Sequence, residues 1–448
     1  MAACSRRVRL ACLALAAAST PAQDLLPKAP PQAAPVVLKN AVLHTVSDGI
    51  VLGGTLWFQD GVIRGVLPAG SEPNLPAGVQ PVVFDLAGKH VFPGMISAHT
   101  SLGLVEIGSV RQTVDTDELG ELSPEALAIV AVNPDSAAIP VARSNGVLAA
   151  AVFPSGGLLP GRVSVMQLDG WTNADMTVQA DAGPVVDWPQ QRRNDGRRGR
   201  RGPRPDADSE RNGEATARAR QRIDDAFEAA RAWLDAHAAD ASVPLDIRHA
   251  ALAPALRGEV PVFVLAEELE QIESAVLWAT GRKLRPVIVG GRDAPLCAEL
   301  LHERHVPVVI DGVHRLPRRD DSAYDEAFTL PKQLADLGVA FCIATGSDFS
   351  QDRNLPYHAA TAAAFGLDRQ QAFAAITLRA AEILGVQAHL GSLTAGKDAT
   401  LFVADGHPFD LPTRIELAFV EGRQVDLRNK QTELARKYRE RYRQQRGK

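Results

Sequence analysis

Five short apolar runs, Gly146 to Phe153, Val260 to Ala266, Arg285 to Gly290, Val306 to Asp311 and Ala340 to Gly346, alternate with helix-patterned stretches along the chain. Strands separated by helices cannot be joined as hairpins, and crossovers of that length set them side by side in parallel with both faces covered. Units of this kind spread over roughly 300 residues predict an α/β chain whose centre is a (β/α)8 TIM-type barrel with an insert. With 448 residues, 46% of them hydrophobic and 23% charged, the chain carries enough apolar side chain to fill such a core.

The two ends read differently. Val36-Val37-Leu38 and Thr55-Leu56-Trp57-Phe58 are short β runs, and Asp60-Gly61 before Val62-Ile63 is a hairpin signal. Gly391 to Val403 and Ala418 to Arg423 give further strands with glycine turns. Residues 190–222 carry Arg192-Arg193, Arg197-Arg198, Arg200-Arg201 and Arg204 among Gly, Pro, Asp and Asn, a composition that predicts a disordered surface insert. No aromatic residue interleaves with these arginines, and the net charge is -5, so nucleic acid is not an expected partner. A helix follows with Ile223, Phe227, Ala230 and Leu234 on one face, and residues 427–448 predict a basic, solvated C-terminal helix.

At the N-terminus Arg6, Arg7 and Arg9 precede an apolar run from Leu10 to Ala18 and then Ser19-Thr20-Pro21-Ala22. This predicts a signal peptide over residues 1–22 and export to the periplasm or beyond. The run is about half of the ~20 residues a membrane span needs, and no later segment is apolar for longer, so no span is expected. Cys297 and Cys342 are the cysteines outside that segment and are expected as buried free thiols. His237, His249, His302 and His305 are expected as surface or capping groups.

Val91-Phe92-Pro93-Gly94-Met95-Ile96-Ser97-Ala98-His99-Thr100-Ser101-Leu102-Gly103 resembles the first barrel strand of the amidohydrolase superfamily. That strand reads P-G-(I/L/M)-I-D-A-H-x-H, and here Ser97 replaces the aspartate and Ser101 the second histidine. Asn354-Leu355-Pro356-Tyr357-His358, Thr377 to Gly385 and Gly391-Ser392-Leu393-Thr394-Ala395-Gly396-Lys397-Asp398-Ala399 extend the likeness. It is strongest to exported amidohydrolases related to imidazolonepropionase. The resemblance implies one β-sandwich built from residues 23–92 and 391–426, around a barrel of residues 93–390. It further implies hydrolysis of a carbon–nitrogen bond, of the non-peptide, cyclic amide type, in a small-molecule substrate.

In such proteins metal ligands at strand ends activate water and an aspartate on the last strand takes its proton. Asp348 matches that aspartate, and His99 with Asp348 would hold the ion, zinc by preference. Leu265 and Gly290 stand where histidines are expected on the fifth and sixth strands, and a serine hydroxyl is a poor replacement for imidazole. Glu267, two residues beyond Leu265 and so on the same strand face, is a candidate substitute ligand, as are Asp311 and His314. Ser101, Glu106 and His358 are candidate pocket residues. Two readings stay open: a hydrolase with a degenerate metal site holding one divalent ion or none, and a catalytically inactive scaffold that binds a ligand. Assembly as a homo-oligomer also stays open.

Overall fold

A computed structural model describes residues 26–75, 78–190, 205–317, 319 and 321–446. The expected signal peptide and the arginine pairs of residues 192–201 lie outside the described residues.

The chain first lays down β1 (Val36–His44), β2 (Ile50–Gln59), β3 (Val62–Leu67), β4 (Val82–Asp85) and β5 (His90–Pro93). It returns to them at the far end with β14 (Leu401–Ala404), β15 (Ile415–Val420) and β16 (Arg423–Gln424). Together these form one sheet in the order β16-β15-β14-β5-β1-β2-β3, with β4 pairing β1. The junction is β5, parallel to β1 through Val42 and His90 and antiparallel to β14 through Phe92 and Phe402. Phe58 on β2 and Phe419 on β15 lie far apart in that order, yet their rings meet edge-on at 5.0 Å. The sheet therefore folds back on itself, and the predicted sandwich of both ends is present, closed over Leu38, Leu56, Phe58, Leu401 and Phe419.

Two residues after β5 the chain enters the barrel sheet: β6 (Met95–Thr100), β7 (Val147–Val152), β8 (Gly161–Gln167), β9 (Thr177–Asp187), β10 (Val262–Ala266), β11 (Pro286–Gly290), β12 (Val308–Ile310) and β13 (Phe341–Ile343). All five runs that open the sequence analysis are strands here. One departure from the (β/α)8 pattern is that β8 runs antiparallel to both neighbours, so a meander through β7, β8 and β9 replaces a strand–helix unit. Inside the barrel Ile96, Ala149, Val165, Phe263, Val287, Val309 and Cys342 pack as one layer, while the alternate residues face the surrounding helices.

Helices used below are α1 (Pro205–Ala239), α2 (Leu269–Gly281), α3 (Leu355–Ala364) and α4 (Lys430–Arg446). α1 corrects part of the expected disordered insert, since residues 205–222 are helical. Ile223, Phe227 and Ala230 are buried, so this face of α1 anchors it on the barrel. Cys297 and Cys342 are free and buried. No described helix is long and apolar enough to cross a membrane.

Candidate active site

A cavity of about 460 Å³ opens where barrel strands end at their C-terminal edges, walled by His99, Ser101, Phe153, Asp187, Leu265, Glu267, Gly290 and Asp311 among others. Strand parity delivers most of these groups. Val185 and Phe263 belong to the inner layer and Leu265 packs against it. Asp187 and Glu267, two residues beyond Val185 and Leu265, therefore face the same way. Asp311 follows by the same rule from the inner residue Val309.

His99 breaks parity. Ile96 and Ala98 are inner residues, which would send His99 outward, but the pairing of β6 with β7 shifts register between Ser97 and Thr100. That irregularity turns the imidazole into the cavity wall. There its Nδ1 lies 2.7 Å from Asp311 Oδ1, and its ring meets Phe153 edge-on at 4.6 Å. Burial pushes the Asp311 carboxyl up, but His99, Arg315 and Arg292 outweigh it and hold the group below the usual carboxylate range. Burial pushes Glu267 the other way, above that range, against the pull of Arg292 and with a further push from Asp311. Two carboxyls at one cavity are thus biased toward opposite protonation states, the arrangement that general acid–base chemistry needs.

Of the residues singled out in the sequence, His99, Ser101, Glu267 and Asp311 meet at this cavity, and four others do not. Asp348 is exposed beyond the end of β13, where its carboxylate accepts from Ser350 N at 3.0 Å as the cap of a short 3-10 turn. His314 is exposed, bonded to Thr361 and tilted against the ring of His358 at 4.0 Å. His358, buried on α3, accepts from Val313 N at 3.1 Å, and burial with the neighbouring His314 pushes it down to about 3, so it is a neutral packing group. Glu106 lines a separate cavity with Arg353 and Lys430.

Sequence reasoning missed Asp187, Gln271 and Asp352. Gln271 on α2 donates to Trp188 O and accepts from Glu267 N, tying the wall together. Asp352 is fully buried and accepts from the hydroxyls of Ser97 (2.7 Å), Thr100 (2.6 Å) and Thr345 (2.8 Å).

The profile of the Amidohydrolase family matches residues 220–432. An amidohydrolase from Thermotoga maritima shares the fold with a TM-score of 0.74 at 22% identity, over 88% of this chain and 100% of that one. The chain is thus similar to the amidohydrolase family over residues 220–432, just under half of its length. A prolidase solved with N-methylphosphonate-L-proline is similar at a TM-score of 0.52 and 16% identity, over 88% of this chain and 99% of that one. Among curated proteins, the amidohydrolase tasK of Hapsidospora irregularis is 23% identical over 422 residues, which are 87% of this chain and 43% of that protein. The chain spans less than half the length of that relative. At these identities the solved structures speak for the fold, and chemistry must be argued from the site.

Amidohydrolases commonly use divalent metals, and the donors present here do not fit one. Among the described residues no group of three or more His, Cys, Asp or Glu side chains is placed to hold an ion. His99 Nδ1 is engaged by Asp311, and the Ser101 hydroxyl donates to Ser347 O at 2.7 Å. Gly290 has φ +108°, and a Cβ there would come within 2.8 Å of the Glu267 carboxyl carbon. Glu267 therefore fills the space that a histidine on that strand would need.

Proposed function

We propose that the cavity hydrolyses a carbon–nitrogen bond of a small molecule, of the cyclic amide type, by acid–base catalysis from its own side chains. Asp311 holds His99 through Nδ1, which leaves Nε2 to take a proton from a water as its oxygen adds to the carbonyl carbon. As the C–N bond breaks, protonated Glu267 gives its proton to the leaving nitrogen. The proton on His99 then returns to Glu267 through solvent. The observation that carries this reading is the 2.7 Å contact of His99 with Asp311 in the cavity wall.

The test is turnover of a panel of cyclic amides by the protein with and without prior chelation. Activity that survives chelation and falls by about 10²–10⁴-fold in both His99→Ala and Asp311→Asn is the expected result. Strict dependence on added metal would overturn it. Ser101 and Gly290, where a metal cage would have histidines, favour a second reading, an inactive scaffold that retains a ligand. Binding of a panel member without turnover would select that reading. We also propose that the protein acts outside the cytoplasm, which N-terminal sequencing of the secreted chain tests, with Gln23 the expected first residue.

A further inference from the structure

Asp187 is the cavity group that this chemistry leaves unused. It ends β9 on the cavity wall with its side chain exposed, and the partial burial it has there pushes its carboxyl up. The other two carboxyl groups have partners: Asp311 faces His99 at 2.7 Å, while Glu267 accepts from Arg292 N at 3.2 Å with Arg292 Nε at 3.9 Å. Asp187 has no hydrogen-bond or ion-pair partner for its side chain among the described residues. The described wall contains no lysine or arginine.

The backbone just after it is fixed from several sides. Trp188 N donates to Leu265 O at 3.3 Å and Trp188 Nε1 to Ser274 Oγ at 2.9 Å. Gln271 Nε2 donates to Trp188 O at 2.6 Å, and from α1 Arg220 Nε donates to Pro189 O at 3.1 Å. A carboxylate carried on a fixed backbone at a cavity wall, with no partner among the described residues, can act as the counter-ion of a bound cation.

Building on the reading of this cavity as the substrate site, we propose that it selects substrates bearing a cationic group, an ammonium or guanidinium, and that Asp187 is the residue that recognises it. α1, through Arg220, helps to fix the backbone at Pro189, two residues past this carboxylate. Phe153, on the wall beside His99, supplies an apolar surface for the stem of the cation.

Binding separates this proposal from the hydrolytic one. Titration calorimetry would compare Nα-acetyl-L-lysine amide with Nα-acetyl-L-norleucine amide, identical but for the terminal ammonium, on wild type, Asp187→Asn and His99→Ala. Wild type is expected to prefer the lysine derivative by about tenfold or more, as for one charge-assisted hydrogen bond, and to lose part of that preference as salt rises. Asp187→Asn should bind the two probes equally, with the norleucine derivative unchanged. His99→Ala should keep the preference, even though the proposed hydrolysis would be lost. No binding of the lysine derivative by wild type, no preference, or a preference that persists in Asp187→Asn would each overturn the proposal.

Discussion

Glu267 shows how one side chain can take up the space beside a neighbouring strand end. It reaches across the wall to cover the α-carbon of Gly290, and the glycine accepts it because it has no Cβ and a left-handed φ. Gly290→Ala should destabilise the protein by about 1–3 kcal/mol, from backbone strain and from the clash together. Adding Glu267→Ala should restore the steric part alone, a coupling that a double-mutant cycle by thermal melting would measure. Simple additivity of the two changes would mean that Glu267 does not occupy that space. For the reaction, Glu267→Gln should lower kcat by about 10²-fold or more and flatten the fall in rate on the alkaline side, since the amide has no proton to lose. Glu267 and Asp311 were legible as rim carboxylates from strand parity. That His99 would reach Asp311 was not, because it depends on an irregularity in β6 that no periodicity announces.

At the scale of elements, the weak point of the barrel is the seam between β6 and β13, which are the two ends of the sheet order. Asp352, on the turn after β13, bridges it by accepting from Ser97 and Thr100 on β6 and from Thr345. Ser101 N and Oγ both add bonds to Ser347 O. Asp352→Leu should cost several kcal/mol, because about 1–3 kcal/mol attaches to each buried hydroxyl left without a partner. Burial pushes Asp352 up to about 6 despite those three bonds. Its pKa is higher folded than unfolded, so its contribution is fully present below about pH 4 and is lost as pH rises through 6. Relative to Asp352→Asn, wild type should lose about 3 kcal/mol of stability between pH 4 and pH 7, two units at 1.36 kcal/mol each. Denaturant titrations at both pH values would read this, and a pH-independent difference would contradict it.

The same scale shows what the sequence reveals and what it hides. Strands such as Val262–Ala266 stand out because both faces are buried and every residue is apolar. Strand β9 hides because Gly183 and Pro184 interrupt it, although Gly183 is there to let Pro261 O approach to 2.1 Å of where a Cβ would sit. Losing β9 from view also lost Asp187. Asp352 left only an indirect trace, Ser97 in place of a strand aspartate, a hydroxyl whose distant acceptor could not be read from spacing. Asp348 misled for a physical reason. β13 ends at Ile343, and past Gly346, at φ +102°, strand parity no longer applies.

Over the whole molecule, strands from before and after the barrel close one sandwich, with the barrel strung between them. Phe419, 1% exposed against Phe58 and Phe84, is the contact that joins them. Phe419→Ala should lower stability by about 3–5 kcal/mol. Because its position is remote from the cavity, the affinity for any bound ligand should be unchanged, which calorimetry on the folded variant would check. For the molecule as a whole we propose that a barrel similar to those of amidohydrolases works without a metal cage, by acid–base chemistry of His99, Asp311 and Glu267. The most direct test is the metal content of the purified, active protein by elemental analysis. We predict far less than one ion per chain with hydrolysis intact; one tightly held ion per chain, whose removal abolishes turnover, would contradict the account.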